Sequence, residues 1–168
     1  MAEIEYRVFE GPLSDEVLAE VVELVALTLH VPRSPPAEPA AYMTLIRAEL
    51  AGYRWVYLCL AYEGPLLVGY KLGRSSDPRT FESRLGGVRL RARRRGIATE
   101  LAQRQEDWCR THGFRFVVTE AHQDNAAMLI LNLKRGFKIV GTTLSRTEHL
   151  KVQCEKALFD DGGKREST

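Results

Sequence analysis

What this chain of 168 residues lacks narrows it first. No stretch approaches the roughly 18–20 consecutive apolar residues that cross a bilayer. The opening MAEIEYRVFE is acidic where a secretory or transit peptide is basic, so a cytoplasmic setting without membrane contact is expected. No sign of charge dominates: 24 Lys and Arg stand against 22 Asp and Glu, a formal net charge of +2. That balance speaks against a general polyanion binder, whose basic charge covers a whole face. Cys59, Cys109 and Cys154 are odd in number and lack CxxC or Cys/His ligand spacing. Neither a disulfide framework nor a zinc site is supported, no metal is expected, and the thiols read as core residues. GxxxxGK[ST] is absent, and so is GxGxxG after a strand, which removes the two common nucleotide folds. There is no internal repeat and no low-complexity segment.

What is present fits one globular domain over residues 1–160, followed by a polar, frayed tail over 161–168. IEYRVF alternates as a strand does, and Gly11-Pro12 turns the chain. Leu18, Val21, Val22, Val25 and Leu29 then recur at the spacing of an amphipathic helix that begins near Ser14. VPRSPPAEP cannot continue a helix, because each proline ring removes a donor and disfavours helix in the residue before it. A loop over 31–39 is required, and it reads equally as a connector or as a lid. Ala40 to Leu50 suggests a second short helix. YRWVYLCLAY and PLLVGYKLG, split by Glu63-Gly64, read as a hairpin. FESRLGGVRL is a further strand over 81–90, with two glycines inside it. Ile97, Ala98, Leu101, Ala102, Trp108 and Cys109 mark one face of a helix capped by Gly113. FRFVVTEA gives a strand over 114–120. NAAMLILNLKR is a helix stopped by Gly136, with Met128, Leu129, Leu131 and Leu133 as core. FKIVGTT and LKVQCEKAL are closing strands. Strands and helices alternate, and the middle hairpins imply a mixed sheet with helices on both faces, an α/β class.

The stretch LRARRRGIATEL, residues 90–101, concentrates four arginines beside a glycine at a helix start. A solvated charge run is the bland reading. It leaves unexplained why cations sit where the helix macrodipole already places about half a positive charge. Exposed N–H groups at a helix start, with a glycine that admits close approach, form an anion site that flanking arginines strengthen. A pyrophosphate is the natural guest. Gly86-Gly87, inside the strand just upstream, marks a bulge or the close approach of another group.

Val88-Arg89-Leu90 followed by Arg93-Arg94-Arg95-Gly96-Ile97-Ala98 resembles the Q/R-x-x-G-x-G/A motif of the GCN5-related N-acetyltransferase (GNAT) family. Asn125 and LILNLKRGF (129–137) extend the likeness, and element order agrees over residues 4–158. The six-residue motif alone is moderately specific; its spacing to Asn125 and Gly136-Phe137 strengthens it. The resemblance implies a mixed, mostly antiparallel sheet of about seven strands, splayed between the fourth and fifth. It implies acetyl-CoA as cofactor, its pantetheine arm pairing with backbone around Val88 and Leu90. The pyrophosphate would lie on N–H groups of Arg94 to Thr99, with side chains among Arg89, Arg93, Arg94 and Arg95 reaching phosphate oxygens at about 1.5–3 kcal/mol per charge-assisted bond. Homodimers are common in this family.

By that analogy the reaction is direct transfer of acetyl from the thioester to a primary amine. An alkyl ammonium must first lose its proton. Glu120 is the leading base, Glu82 the runner-up, and His122 a loop histidine that fits either role or none. The backbone N–H of Val88 is the candidate oxyanion donor. Tyr70, Glu82 and Arg84 are acceptor-side candidates, each equally readable as sheet surface. Many relatives carry a tyrosine as general acid four residues before the terminal Gly-Phe pair, and here that position is Asn132. An amide cannot release a proton, although its NH2 group still donates to sulfur. Asn125 reads as a helix cap or as a contact to the cofactor arm. Two other functions stand beside acetyl transfer: a CoA-binding module without catalysis, and a nucleic-acid binder using RLRARRR. The second is short of the roughly 6–10 phosphate contacts such binding takes, and no aromatics interleave. The amine itself is not legible.

Overall fold

The computed structural model describes residues 3–29, 38–144 and 149–159; the proline-rich loop and the tail named above fall largely outside them. The elements run β1 (Ile4–Glu10), α1 (Asp15–Thr28), α2 (Pro39–Leu50), β2 (Val56–Glu63), β3 (Leu66–Ser75) and β4 (Thr80–Val88). A single 3-10 turn (Leu90–Ala92) precedes α3 (Ile97–Thr111), β5 (Phe116–His122), α4 (Ala126–Lys134), β6 (Lys138–Leu144) and β7 (Leu150–Ala157). The seven strands form a mixed sheet in the order β1-β2-β3-β4-β5-β7-β6. Residue contacts group the chain into two units. One runs to Ser75 and resumes over Glu82–Gln105; the other takes Ser76–Phe81 and continues from Glu106.

In the first unit, α1 starts where Ser14 accepts the Val17 N–H at 3.4 Å, with Asp15 and Glu16 in its first turn against the helix dipole. Leu18, Val21, Val22 and Val25 are buried as their spacing predicts, and Leu24 joins them because α2 packs alongside with Tyr42 and Ile46. Leu29 lies one residue past the helix end, where its N–H closes on the Val25 carbonyl. β2 is buried from Val56 to Tyr62, since helices cover both of its faces. Leu58, Leu60 and Tyr62 belong to the α1–α2 core. On the opposite face, α3 rests on β3 at Gly69, where an added Cβ would stand 3.1 Å from Ile97 and Leu101.

β4 ends at Val88, two residues before the expected boundary. Arg89 sends its N–H to the Val68 carbonyl at 2.8 Å, and the chain then tightens into the 3-10 turn. Within β4 the alternation of faces slips. Arg84 reaches Glu49 of α2, yet Leu85 packs into the same α1–α2 core, a one-residue shift of the kind a β-bulge produces. The paired glycines follow that slip. What draws near Gly87 is α1: a Cβ there would stand 2.4 Å from Thr28 Oγ1 and 2.9 Å from Tyr70 Cε1. At Gly86 it would meet the outer methylenes of Lys71.

In the second unit, Phe81 sits edge-on to Trp108 and Phe114, with ring centroids 5.3 and 5.2 Å apart. β5 begins at Phe116 rather than 114, because Phe114 closes α3 through the Cys109 carbonyl while Arg115 and Phe116 bond Arg79. β5 pairs antiparallel with β7, and β7 with β6. Glu106 of α3 is buried, holding Arg135 at 2.7 Å and Lys156 at 2.6 Å. Leu133, expected in the core, is half exposed, as is Ile130. The outer strands differ in character. β1 carries Glu5, Arg7 and Glu10 exposed, whereas β6 exposes Ile139, Val140 and Leu144 with Lys138 as its one charge. No helix among the described residues is long and apolar enough to cross a membrane.

Candidate cofactor site at the end of β4

After Val88 the backbone passes through the arginine stretch in an unusual conformation. Arg94 has φ +59° and Gly96 has φ +79°, so two residues of three are left-handed. That geometry turns successive N–H groups to one side as a concave anion nest. α3 follows at once. Its first backbone bond runs from the Glu100 N–H to the Gly96 carbonyl at 2.9 Å, which leaves the Ile97 and Ala98 N–H groups without an intrahelical acceptor. A Cβ built on Gly96 meets nothing within 4 Å, so the concavity is open.

The arginines divide by task. Arg89 Nε donates to the Leu67 carbonyl at 2.7 Å and Arg93 Nε to the Val88 carbonyl at 3.0 Å. Both guanidiniums therefore brace the loop against β3 and β4. Arg95 pairs with Glu63 of β2 at 2.8 Å. The hydrogen bond from Arg95 holds the Glu63 carboxyl below its usual value, with Arg95 and Arg91 adding charge attraction against some desolvation. Arg91 and Arg94 are exposed, and Arg94 has no side-chain partner among the described residues. Leu90 opens the 3-10 turn at 79% exposure, so it offers no strand backbone for an added chain. Val88 remains as the strand position. Thr99 completes the first turn of α3.

The acceptor-side candidates lie in the same unit. Tyr70 is 1% exposed. Thr28 gives its hydrogen to the Leu24 carbonyl at 2.7 Å, so at 3.3 Å it accepts from the Tyr70 hydroxyl. Burial pushes the Tyr70 phenol to about 12. A neutral phenol packed under α1 is the state this position adopts. Glu82 and Arg84 form a network: Arg74 reaches Glu82 at 3.2 Å, Arg84 reaches Glu82 at 2.9 Å and Glu49 at 3.0 Å, and Arg74 also bonds the Glu49 carbonyl. Burial works against the Arg84 charge, but Glu49 and then Glu82 outweigh it and hold the guanidinium above its usual value.

The remaining candidates belong to the second unit. Glu120 accepts from Gln153 at 3.0 Å and lies 3.4 Å from the Lys151 ammonium, both across the β5–β7 ladder. The His122 ring stands edge-on to His149, centroids 5.9 Å apart. Asn125 accepts the Met128 N–H at 3.2 Å and so caps α4. Asn132 is 7% exposed, and its Nδ2 is buried with no hydrogen-bond partner among the described residues. A buried amide left without an acceptor costs about 1–3 kcal/mol, which makes it a standing donor. The partnership of Glu63 with Arg95 escaped sequence reading, since the two stand 32 positions apart.

An open nest at a helix start, directly after the strand that ends at Val88, fits a diphosphate. The sequence model of the Acetyltransferase (GNAT) family matches residues 21–137, from α1 through Phe137. The chain belongs to the acetyltransferase (GNAT) family. Among solved structures, a Desulfovibrio desulfuricans protein assigned to the GNAT family superposes with a TM-score of 0.74 at 14% identity, covering 94% of this chain and 100% of its own. An N-acetyltransferase from Staphylococcus aureus Mu50 gives 0.72 at 17% identity, covering 94% and 99%. YncA of Salmonella typhimurium, solved with its cofactor acetyl-CoA, gives 0.66 at 18% identity, covering 99% and 100%. At such identities the structural likeness is one of fold. The curated proteins contain no match to the chain. GNAT proteins are acetyltransferases whose donor is acetyl-CoA.

Proposed function

We propose that this GNAT protein acetylates a primary amine by direct attack within a ternary complex, and that the nest at Arg94–Gly96 holds the donor's pyrophosphate. The open nest is the observation that carries the reading. The N–H groups of Ile97, Ala98 and Thr99 complete the cradle, and Arg94 supplies the side-chain charge. Arg89 and Arg93 act through the loop they brace. Acetyl-CoA supplies an activated acyl thioester. The Val88 N–H donates to the carbonyl oxygen as it gains charge. Glu120 takes the proton from the incoming ammonium at a carboxylate oxygen, with Gln153 and Lys151 fixing its orientation. The Asn132 Nδ2 donates to the departing sulfur, and water completes its protonation. Asn125 works through the cap that starts α4. Tyr70 supports β4 from beneath, while Glu82 and Arg84 stand ready as acceptor contacts from one ionic network.

Three buried, unpaired thiols suit the reducing cytoplasm. For nucleic acid the strip is too small: Arg89, Arg93 and Arg95 are engaged, leaving two exposed arginines against the roughly 6–10 phosphate contacts needed. The asparagine at position 132 favours a second reading, a CoA-binding module without turnover. Following thiol release from acetyl-CoA against a panel of amines separates the two. Release that falls at least tenfold in Glu120→Gln and rises in Asn132→Tyr supports the proposed mechanism. Cofactor binding with no release from any amine leaves the binding module, and no binding at all removes both.

A further inference from the structure

The arginine stretch contains its own counter-anion. Glu63 closes β2 beside the Gly64 turn, and its Oε1 lies 2.8 Å from Arg95 Nη2, both side chains only 22% exposed. Arg91 also bears on the same carboxylate. One acidic side chain therefore faces two of the five arginines between Leu85 and Gly96. A carboxylate and a phosphate compete for guanidinium by the same charge-assisted bonds, and this carboxylate is tethered and always present.

We propose that Glu63 is a built-in competitor for the cofactor's phosphates: it occupies Arg95, partly neutralises Arg91, and keeps cofactor affinity low enough for spent CoA to leave. The inference rests on the reading of the nest as the pyrophosphate site. Neutralising the carboxylate releases Arg95 toward the anion without touching the nest. In a merely structural brace, the same change loosens the loop and weakens binding. The sign of the effect therefore distinguishes competition from support.

The test is a binding cycle with CoA, measured by calorimetry from 50 to 300 mM salt, on wild type, Glu63→Gln, Arg95→Gln and the double variant. The expected result is a Kd about threefold to tenfold lower in Glu63→Gln, within the range of a partly buried ion pair. The affinity should fall more steeply with salt, because one more cation is engaged. Arg95→Gln alone should bind more weakly than wild type, because it leaves the Glu63 carboxylate unpaired beside the anion, and in that background Glu63→Gln should bring only the smaller part of the gain that Arg91 carries. Melting temperatures without ligand establish that each variant folds; Glu63→Asp, which keeps the charge, serves as a folded control that retains weak binding. Unchanged or weaker binding in a folded Glu63→Gln overturns the proposal, as does a gain of undiminished size when Arg95→Gln is already present. Wild type that binds no CoA refutes the reading of the nest instead, so the two failures are told apart.

Discussion

Gly87→Ala should be among the most damaging methyl additions available in this protein. The new Cβ would stand 2.4 Å from Thr28 Oγ1, 2.7 Å from Thr28 Cβ and 2.9 Å from Tyr70 Cε1. None of these atoms is the loose end of a flexible chain: Thr28 is fixed on α1 by its bond to Leu24, and Tyr70 is a buried ring. Overpacking of this kind costs about 1–3 kcal/mol, and losing the Thr28–Leu24 bond adds about 1. A chain of this size melts roughly 2–4 °C lower per kcal/mol, so a fall of about 4–16 °C is expected. Gly86→Ala is the control. Its Cβ would meet Lys71 Cδ at 3.0 Å, a flexible side chain that can move aside, so a change under about 1 kcal/mol is expected. Urea unfolding followed by tryptophan fluorescence reads both. Thr28→Gly should recover part of the Gly87→Ala loss as a coupling term, with the Tyr70 contact accounting for what remains. Melting of Gly87→Ala within about 2 °C of wild type, or Gly86→Ala as the worse variant, refutes the reasoning.

Gly96→Ala places a side chain at φ +79° with nothing to strike. It should cost about 1–2 kcal/mol through backbone strain alone, and thermal shift with acetyl-CoA should show whether the nest has closed. Ellman's reagent should label none of the three cysteines in the native protein and all three in denaturant, because all are buried and burial pushes the thiols of Cys59, Cys109 and Cys154 up. The thiol-release assay then runs without background from the protein. Tyr62 and Tyr70, both pushed by burial to about 12, should be silent in an ultraviolet titration through pH 11, and earlier ionisation of all six tyrosines contradicts the packing. Glu63, held down by the Arg95 hydrogen bond, and Asp77, held down by the Arg79 N–H, have folded values below the usual 4 or so. The stability they add is present above that value and lost as pH falls through the depressed ones. Glu63→Gln and Asp77→Asn should flatten the melting profile below about pH 4, and an unchanged acid limb counts against both pairings.

The α1 stripe was readable because burial there follows one face; Leu24 was not, since only the arrival of α2 widens that face. β4 read two residues too long, because Val88-Arg89-Leu90 alternates as a strand does. The bond from Arg89 to Val68 that ends it comes from another strand. Glu106 interrupts the apolar pattern of α3 like a solvent position, yet it is buried because Arg135 and Lys156 converge on it from distant parts of the chain. At the nest, Gly96 and the charge were legible in residue types. The left-handed turn at Arg94 was not, since nothing in an arginine announces positive φ. Asn132 is visible as a departure in type, while the missing partner of its Nδ2 is a property of the packing around α4 that residue types do not carry.

The unequal rims of the sheet bear on how a sample behaves. β1 shows Glu5, Arg7 and Glu10 around a single exposed aliphatic, Val8, and β6 shows three exposed aliphatics beside one lysine. Turbidity at high concentration should start at β6, and a single lysine introduced at Val140 is the simplest cure. A fluorophore or purification handle belongs on the β1 side, where charge already keeps neighbouring molecules apart.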